Sequence, residues 1–183
     1  DPKRVFVTGA PGIDNIFNLK LLSRENLEKE IKWSLSSKFA LFTYHPVTLD
    51  ESGLSIDLGS VFNVLSNFDF NVIFTYANAD PGSSIINNQI EKFCIKSPKK
   101  YKVFKNLGQI KYLSAMKHAD LIIGNSSSGI IEAASFKKPV VNIGDRQKGR
   151  VKGENIIDCS FNSLRGSIDL ALSSLNNFLS GME

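Results

Sequence analysis

Cysteine is scarce in this chain. Its 183 residues hold two thiols, Cys94 and Cys159, too few and too far apart for a disulfide scaffold or a structural zinc site, so each reads as a buried thiol of a reducing compartment. Long apolar runs are lacking too. None reaches the roughly 18–20 residues that a bilayer helix needs, and Asp1-Pro2-Lys3-Arg4 leads into no signal-like apolar segment. A cytoplasmic protein with no membrane partner is expected. No lysine follows a glycine loop in the manner of a phosphate-binding P-loop, and neither metal nor cofactor is expected.

What is present is ordinary for one folded domain, expected over residues 1–183. Apolar residues make up 42% and charged residues 22%, which excludes bulk disorder. Lys and Arg exceed Asp and Glu by 22 − 18 = +4, a mild surplus that suits an anionic small ligand as readily as a nucleic acid. Short apolar runs at residues 4–8, 39–43, 71–76, 101–104, 121–123, 140–142 and 156–158 make seven candidate strands. Between them Leu58, Val61, Phe62 and Leu65, then Ile86, Ile90 and Phe93, and last Leu164, Ile168, Leu172 and Leu175 recur at helical spacing. Strands as uniformly apolar as VIFTY and LIIG belong to a parallel sheet covered on both faces. The expected fold is α/β, a Rossmann-like three-layer sandwich.

Ligands of such sheets bind beyond the carboxyl ends of the strands, so the loops there carry the functional signal. Gly124-Asn125-Ser126-Ser127-Ser128-Gly129-Ile130-Ile131-Glu132 should turn straight from strand to helix, leaving backbone N–H groups and three hydroxyls free for an anion. A plain serine N-cap with glycine for close packing explains the same residues, and Glu132 serves either as a capping-type residue or as an acceptor for ligand hydroxyls. The loop after residues 140–142 carries Arg146, Lys148, Arg150 and Lys152, punctuated by glycine. It could cradle phosphate or be an ordinary solvated loop. It lacks the interleaved aromatics of a single-strand nucleic-acid platform, and no nucleic-acid partner is expected. His45 ends a strand and precedes Pro46, which holds it extended. It is placed to act as acid, base or phosphate partner, or is a satisfied loop histidine. His118, at a helix C-terminus, reads as structural. Gly9-x-x-Gly12 lacks the third glycine of a dinucleotide fingerprint and reads as a tight turn.

Taken in order, Gly9-Ala10-Pro11-Gly12-Ile13-Asp14-Asn15, Thr43-Tyr44-His45-Pro46-Val47-Thr48, Tyr76-Ala77-Asn78-Ala79-Asp80-Pro81-Gly82, the serine loop through Glu132, and Val141-Asn142-Ile143-Gly144-Asp145-Arg146-Gln147-Lys148-Gly149-Arg150 resemble the C-terminal half of the hydrolysing UDP-N-acetylglucosamine 2-epimerases of sialic acid and nonulosonate biosynthesis. The resemblance implies a GT-B-type fold of two Rossmann-like domains, of which only the second would be here. It implies that Ser126, Ser127 and Gly129 hold the diphosphate and that Glu132 accepts from the ribose. Residues 103–108, including Gly108, and Tyr112 would flank uracil. Arg146, Gln147 and Arg150 would face phosphate and sugar, Asn78, Asp80 and Gly82 would line the sugar end, and His45 would act catalytically on the departing diphosphate.

The implied reaction eliminates UDP across C1 and C2 of UDP-N-acetylglucosamine and adds water, giving UDP and N-acetylmannosamine. In the family the proton-transfer carboxylates lie mainly in the N-terminal domain, so the expectation is a catalytically incomplete, monomeric UDP-binding fragment of a homodimeric parent. A non-hydrolysing UDP-N-acetylglucosamine 2-epimerase, a UDP-binding module without catalysis, and a 2,4-diacetamido sugar as substrate stand as alternatives.

Overall fold

The computed structural model describes residues 2–6, 8–35, 38–47 and 58–180, with side chains to residue 173. Its elements in chain order are α1 (Asp14–Asn18), α2 (Arg24–Ile31), β1 (Phe39–Thr43), α3 (Gly59–Ser66), β2 (Asn71–Thr75), α4 (Ser83–Lys96), β3 (Tyr101–Phe104), α5 (Gly108–His118), β4 (Leu121–Gly124), α6 (Ser127–Ile131), β5 (Val140–Ile143), β6 (Ile156–Cys159) and α7 (Leu164–Ser180). The six strands form one sheet in the order β3-β2-β1-β4-β5-β6, every neighbouring pair parallel.

Alternation along β1 explains why the sheet is covered twice. Ala40 and Phe42 face a core shared with Leu58, Val61 and Leu65 of the α3 region, Ile86 and Ile90 of α4, and Leu164 and Ile168 of α7. Phe39 and Leu41 face the opposite core, built from Leu27 and Ile31 of α2 and Ala115 and Met116 of α5. All five residues of β1, and all five of β2, are therefore buried. At about 1.5–3 kcal/mol for each fully buried Leu, Ile, Val or Phe, these two strands anchor both layers. Phenylalanine is concentrated in and around the first core, where Phe62 stacks on Phe93 with ring centroids 4.3 Å apart and Phe42 meets Phe74 at 5.0 Å.

Capping sets where the helices on the second face begin and end. Ser23 Oγ accepts the Asn26 N–H at 3.3 Å to start α2, and Lys32 closes it in the left-handed region at φ 50°. Lys102 Nζ then donates to the carbonyls of Ile31 and Lys32 at 3.1 and 2.9 Å, tying that helix end to β3. His118 Nε2 lies 2.9 Å from the Leu22 carbonyl, which joins the end of α5 to the segment leading into α2.

The run at residues 4–8 is not the strand its composition suggests. Arg4 closes a 3-10 turn over Pro2–Arg4, while Val5 and Phe6 are 72% and 80% exposed; Val7 lies outside the described residues. β-Branched and aromatic residues make a strand only where a neighbour offers a ladder, and the sheet's edges are β3 and β6. Thr48 of the second loop lies outside the described residues as well, and so does the side chain of Leu175.

Candidate functional site at the sheet reversal

Strand order reverses between β1 and β4, because β1 leads outward to β2 and β3 on one side and β4 leads to β5 and β6 on the other. Loops leaving the two strands diverge there and open a crevice. The strands approach so closely at the crevice floor that only glycine fits. Gly124 pairs with Thr43 and has φ +131°, and a Cβ on it would stand 1.9 Å from the Thr43 carbonyl oxygen.

Asn125 follows, fully buried. Its N–H donates to the Thr43 carbonyl at 3.1 Å. Its side chain pairs with the backbone of His45 in both directions: His45 N–H donates to Oδ1 at 2.7 Å, and Nδ2 donates to the His45 carbonyl at 2.8 Å. Its own carbonyl accepts from Arg146 Nη1 at 3.2 Å and from Gln147 Nε2 at 2.8 Å. One residue thus gathers the loops after β1, β4 and β5. Composition and spacing had singled out its neighbours and passed it over, since its partners lie 80 and more than 20 positions away; the one available signal was an asparagine directly after a strand-ending glycine.

The His45 ring is held separately. Asn78 N–H donates to Nδ1 at 3.1 Å, so the neutral ring carries its proton on Nε2. Burial lowers the imidazole pKa below its usual 6.5, the Arg146 charge lowers it further, and Asp80 partly opposes both. The ring is neutral at pH 7, a donor through Nε2 rather than a cation.

A cleft of about 490 Å³ lies beyond these strand ends, and His45, Asn78, Gly108, Tyr112, Ser126 and Ser128 are among its walls. Hydroxyls run along one wall. Thr43 and Thr75 Oγ1 atoms lie 2.6 Å apart, the Tyr112 hydroxyl lies 2.8 Å from Ser128 Oγ, and Ser128 Oγ lies 2.8 Å from Ser126 Oγ. Burial raises the Tyr112 pKa, with hydrogen bonds to Ser128, Thr43 and Ser126 opposing it, so at neutral pH the wall is uncharged and rich in hydrogen-bonding groups. Ser126 caps α6 by accepting the Ser128 N–H, and Ser127 is the first residue of that helix. The helix is only five residues long and passes into a 3-10 turn over Ala133–Phe136, so its dipole is small and any anion affinity rests on hydroxyls and free N–H groups.

Other expected site residues lie around the rim. Gly108 opens α5 at φ +67° and donates its N–H to Asn106 Oδ1 at 2.7 Å. Gly82 opens α4 at φ +87°, with the position of a Cβ 3.6 Å from Pro46 Cβ, and the Asp80 carbonyl accepts the Ser83 N–H at 3.1 Å. Gly129 is buried against the sheet: a Cβ there would lie 3.2 Å from Val140 Cγ1, which is the packing use of this glycine. Glu132 is not an internal residue of α6 but its C-cap. Its Oε1 lies 3.4 Å from where a Gly12 side chain would begin, and burial raises its pKa, so the first loop meets the serine loop at this carboxylate. Gln147 is buried and Arg150 exposed. Lys152 turns to Asp158, with Nζ 2.7 Å from Oδ1, so the positive loop does not act as one patch.

With this geometry stand the likenesses to known proteins. The family profile described as UDP-N-acetylglucosamine 2-epimerase matches residues 1–179. A GDP/UDP-N,N'-diacetylbacillosamine 2-epimerase (hydrolyzing) of Campylobacter jejuni is 43% identical over 90% of this chain and 43% of its own length. A UDP-N,N'-diacetylbacillosamine 2-epimerase (hydrolyzing) of Legionella pneumophila is 34% identical over 84% of this chain and 40% of its own. The structure of the Methanocaldococcus jannaschii UDP-GlcNAc 2-epimerase in complex with UDP-GlcNAc and UDP superposes with a TM-score of 0.70 at 22% identity, covering 94% of this chain and 49% of that one, and shows the shared fold. The chain spans about two fifths of the length of the curated relatives it matches.

These matches correct several expectations. The expectation of a C-terminal piece defined by a missing domain gives way to what the match covers, one epimerase-family domain over residues 1–179. The fold found is one Rossmann-like α/β sandwich over the described residues, in place of the expected half of a GT-B-type arrangement. The expectation of an isolated, catalytically incomplete UDP-binding fragment is corrected to a likeness to 2-epimerases that runs over 90% of this chain and 43% of the relative's length. Among the described residues no helix is long and apolar enough to cross a membrane.

Proposed function

Because the chain belongs to the UDP-N-acetylglucosamine 2-epimerase family, we propose that its cleft binds a UDP-linked 2-acetamido sugar and serves hydrolysing 2-epimerisation. In that reaction UDP leaves C1 as the C2 proton is removed, and water adds to release a free sugar inverted at C2. The observation that carries the reading is the meeting of three loops on Asn125, which brings His45, the serine hydroxyls and Arg146 to one end of the β1–β4 crevice.

Departure of a diphosphate concentrates negative charge on its oxygens. Fixed donors aimed at that charge lower the barrier, and losing one such donor typically costs about 10²–10³ in kcat. On this reading His45 donates from Nε2 to the leaving diphosphate and Arg146 supplies the fixed cation. Ser126 and Ser127 bind phosphate oxygens through hydroxyl and N–H groups, with Gly129 letting α6 sit close enough to the sheet to present them. Glu132 accepts from the ribose, the Gly108 turn and Tyr112 flank the base, Asn78, Asp80 and Gly82 border the sugar, and Gln147 and Arg150 stand on the phosphate and sugar side.

The sugar favoured is one with acetamido groups at both C2 and C4, since relatives at 43% and 34% identity carry the name of N,N'-diacetylbacillosamine. A cytoplasmic location goes with this reading, a compartment that keeps Cys94 and Cys159 as thiols.

The test is calorimetric titration of the protein with UDP, UMP and inorganic phosphate, together with incubation with UDP-N,N'-diacetylbacillosamine and UDP-N-acetylglucosamine followed by NMR. Expected are UDP binding tighter than UMP, and release of free UDP with a free C2-inverted sugar, faster from the diacetamido substrate. No binding at millimolar UDP and no sugar release would overturn the proposal, and a C2-inverted sugar still joined to UDP would replace it with the non-hydrolysing reaction.

A further inference from the structure

We propose that Asn125 is a positioning residue whose side-chain amide holds His45 in register with Arg146, so that the imidazole keeps Nε2–H toward the cleft. The ladder of β1 and β4 ends at the Thr43–Gly124 pair. Beyond it the side chain of Asn125 continues the pairing, accepting His45 N–H at 2.7 Å and donating to the His45 carbonyl at 2.8 Å. Those replace the two bonds that two alternate residues of a facing parallel strand would make to His45. A carboxamide can make both because it carries donor and acceptor on one carbon. Neither Asp, Ser nor Leu reproduces the pair, and Gln is longer by a methylene.

His45 is consequently tied at three points: its N–H, its carbonyl, and ring Nδ1 through Asn78 N–H at 3.1 Å. The last bond sets the tautomer only while the backbone stays where Asn125 holds it. The same residue's carbonyl takes Arg146 at 3.2 Å and Gln147 at 2.8 Å, so the separation of the imidazole from the guanidinium is fixed through one buried group. Among the described residues the charged groups facing His45 are Arg146 and Asp80. The inference rests on the UDP-sugar reading only for the ligand used to probe it.

The experiment is long-range ¹H–¹⁵N NMR of the histidine rings in the labelled 183-residue protein, comparing wild type, N125A and N125D, with thermal melts and UDP titrations in parallel. The chain has two histidines, and H118Q identifies the second signal. Wild type is expected to show a neutral ring wholly protonated at Nε2. Folded N125A should show an Nδ1–H population of about one fifth or more, and a UDP Kd raised about tenfold, equivalent to about 1.4 kcal/mol. Loss of melting temperature alone, with ring tautomer and UDP Kd unchanged, is what a merely structural asparagine would give and would overturn the proposal. Should N125A fail to fold, N125D carries the test: it keeps the acceptor for His45 N–H but sets a carboxylate oxygen against the His45 carbonyl, and an unaltered ring in folded N125D overturns the proposal equally. Ring changes as expected in a protein that binds no UDP would sustain the positioning role and count against the proposed function.

Discussion

Gly124→Ala is the smallest change that should disable the crevice. Gly124 has φ +131°, a region that L side chains rarely adopt, and an added Cβ would meet the Thr43 carbonyl oxygen at 1.9 Å and its carbon at 2.7 Å. A backbone held in such a region costs about 1–3 kcal/mol, and forcing a methyl into a packed contact costs about 1–3 kcal/mol more. To reach an ordinary contact of about 3.2 Å the strands would have to part by more than 1 Å, breaking the 3.1 Å bond from Asn125 N–H to the Thr43 carbonyl. Together this gives roughly 2–6 kcal/mol against a total stability that for a domain is about 5–15 kcal/mol. At this size, Tm should fall by at least about 4 °C. Urea unfolding with fluorescence of the single tryptophan, Trp33, would measure the loss, and amide exchange at Asn125 would locate it. A variant within about 0.5 kcal/mol of wild type, with Asn125 still protected, would refute the claim that β1 and β4 touch through this glycine.

Other perturbations separate binding from stability. Ser126→Ala should weaken UDP by about 1.5–3 kcal/mol, or roughly 10–150-fold in Kd, the worth of a hydrogen bond to a charged group; an unchanged calorimetric Kd would remove the serine loop from the phosphate site. Glu132→Gln should leave the free protein as stable or more so, because burial disfavours the carboxylate, while weakening UDP and leaving inorganic phosphate unaffected; equal losses on both ligands would refute the ribose role. His45 has a folded pKa below its unfolded value of about 6.5, so between the two values the unfolded chain binds more protons and stability falls as the solution is acidified below about pH 6.5. His45→Gln should flatten that part of the urea-midpoint profile, and a wild-type profile no steeper than the variant's would contradict the burial of a neutral ring.

Much of the sheet could be read from composition because a parallel strand covered on both faces leaves an uninterrupted apolar run, as in Phe39–Thr43 and Asn71–Thr75. The same rule failed at Val5 and Phe6, which look like strand residues but join no ladder among the described residues. The loops at the strand ends were legible as small, polar and turn-prone. What was not legible was division of labour within them. Gly129 packs, Lys152 bonds Asp158, Glu132 approaches Gly12, and Asn125 binds three loops together; each depends on a partner that only the folded sheet brings near.

The reversal of strand order between β1 and β4 also constrains how the molecule folds. These two strands lie side by side, yet β2, β3 and the helices α3, α4 and α5 lie between them in sequence. Closing that long loop carries an entropy cost that nearer pairings such as β1 with β2 do not meet, and non-local parallel pairing is slow. The crevice should accordingly mature late in folding, after the β1–β2–β3 half has formed, so competence to capture a nucleotide would serve as a kinetic marker for completion of the sheet.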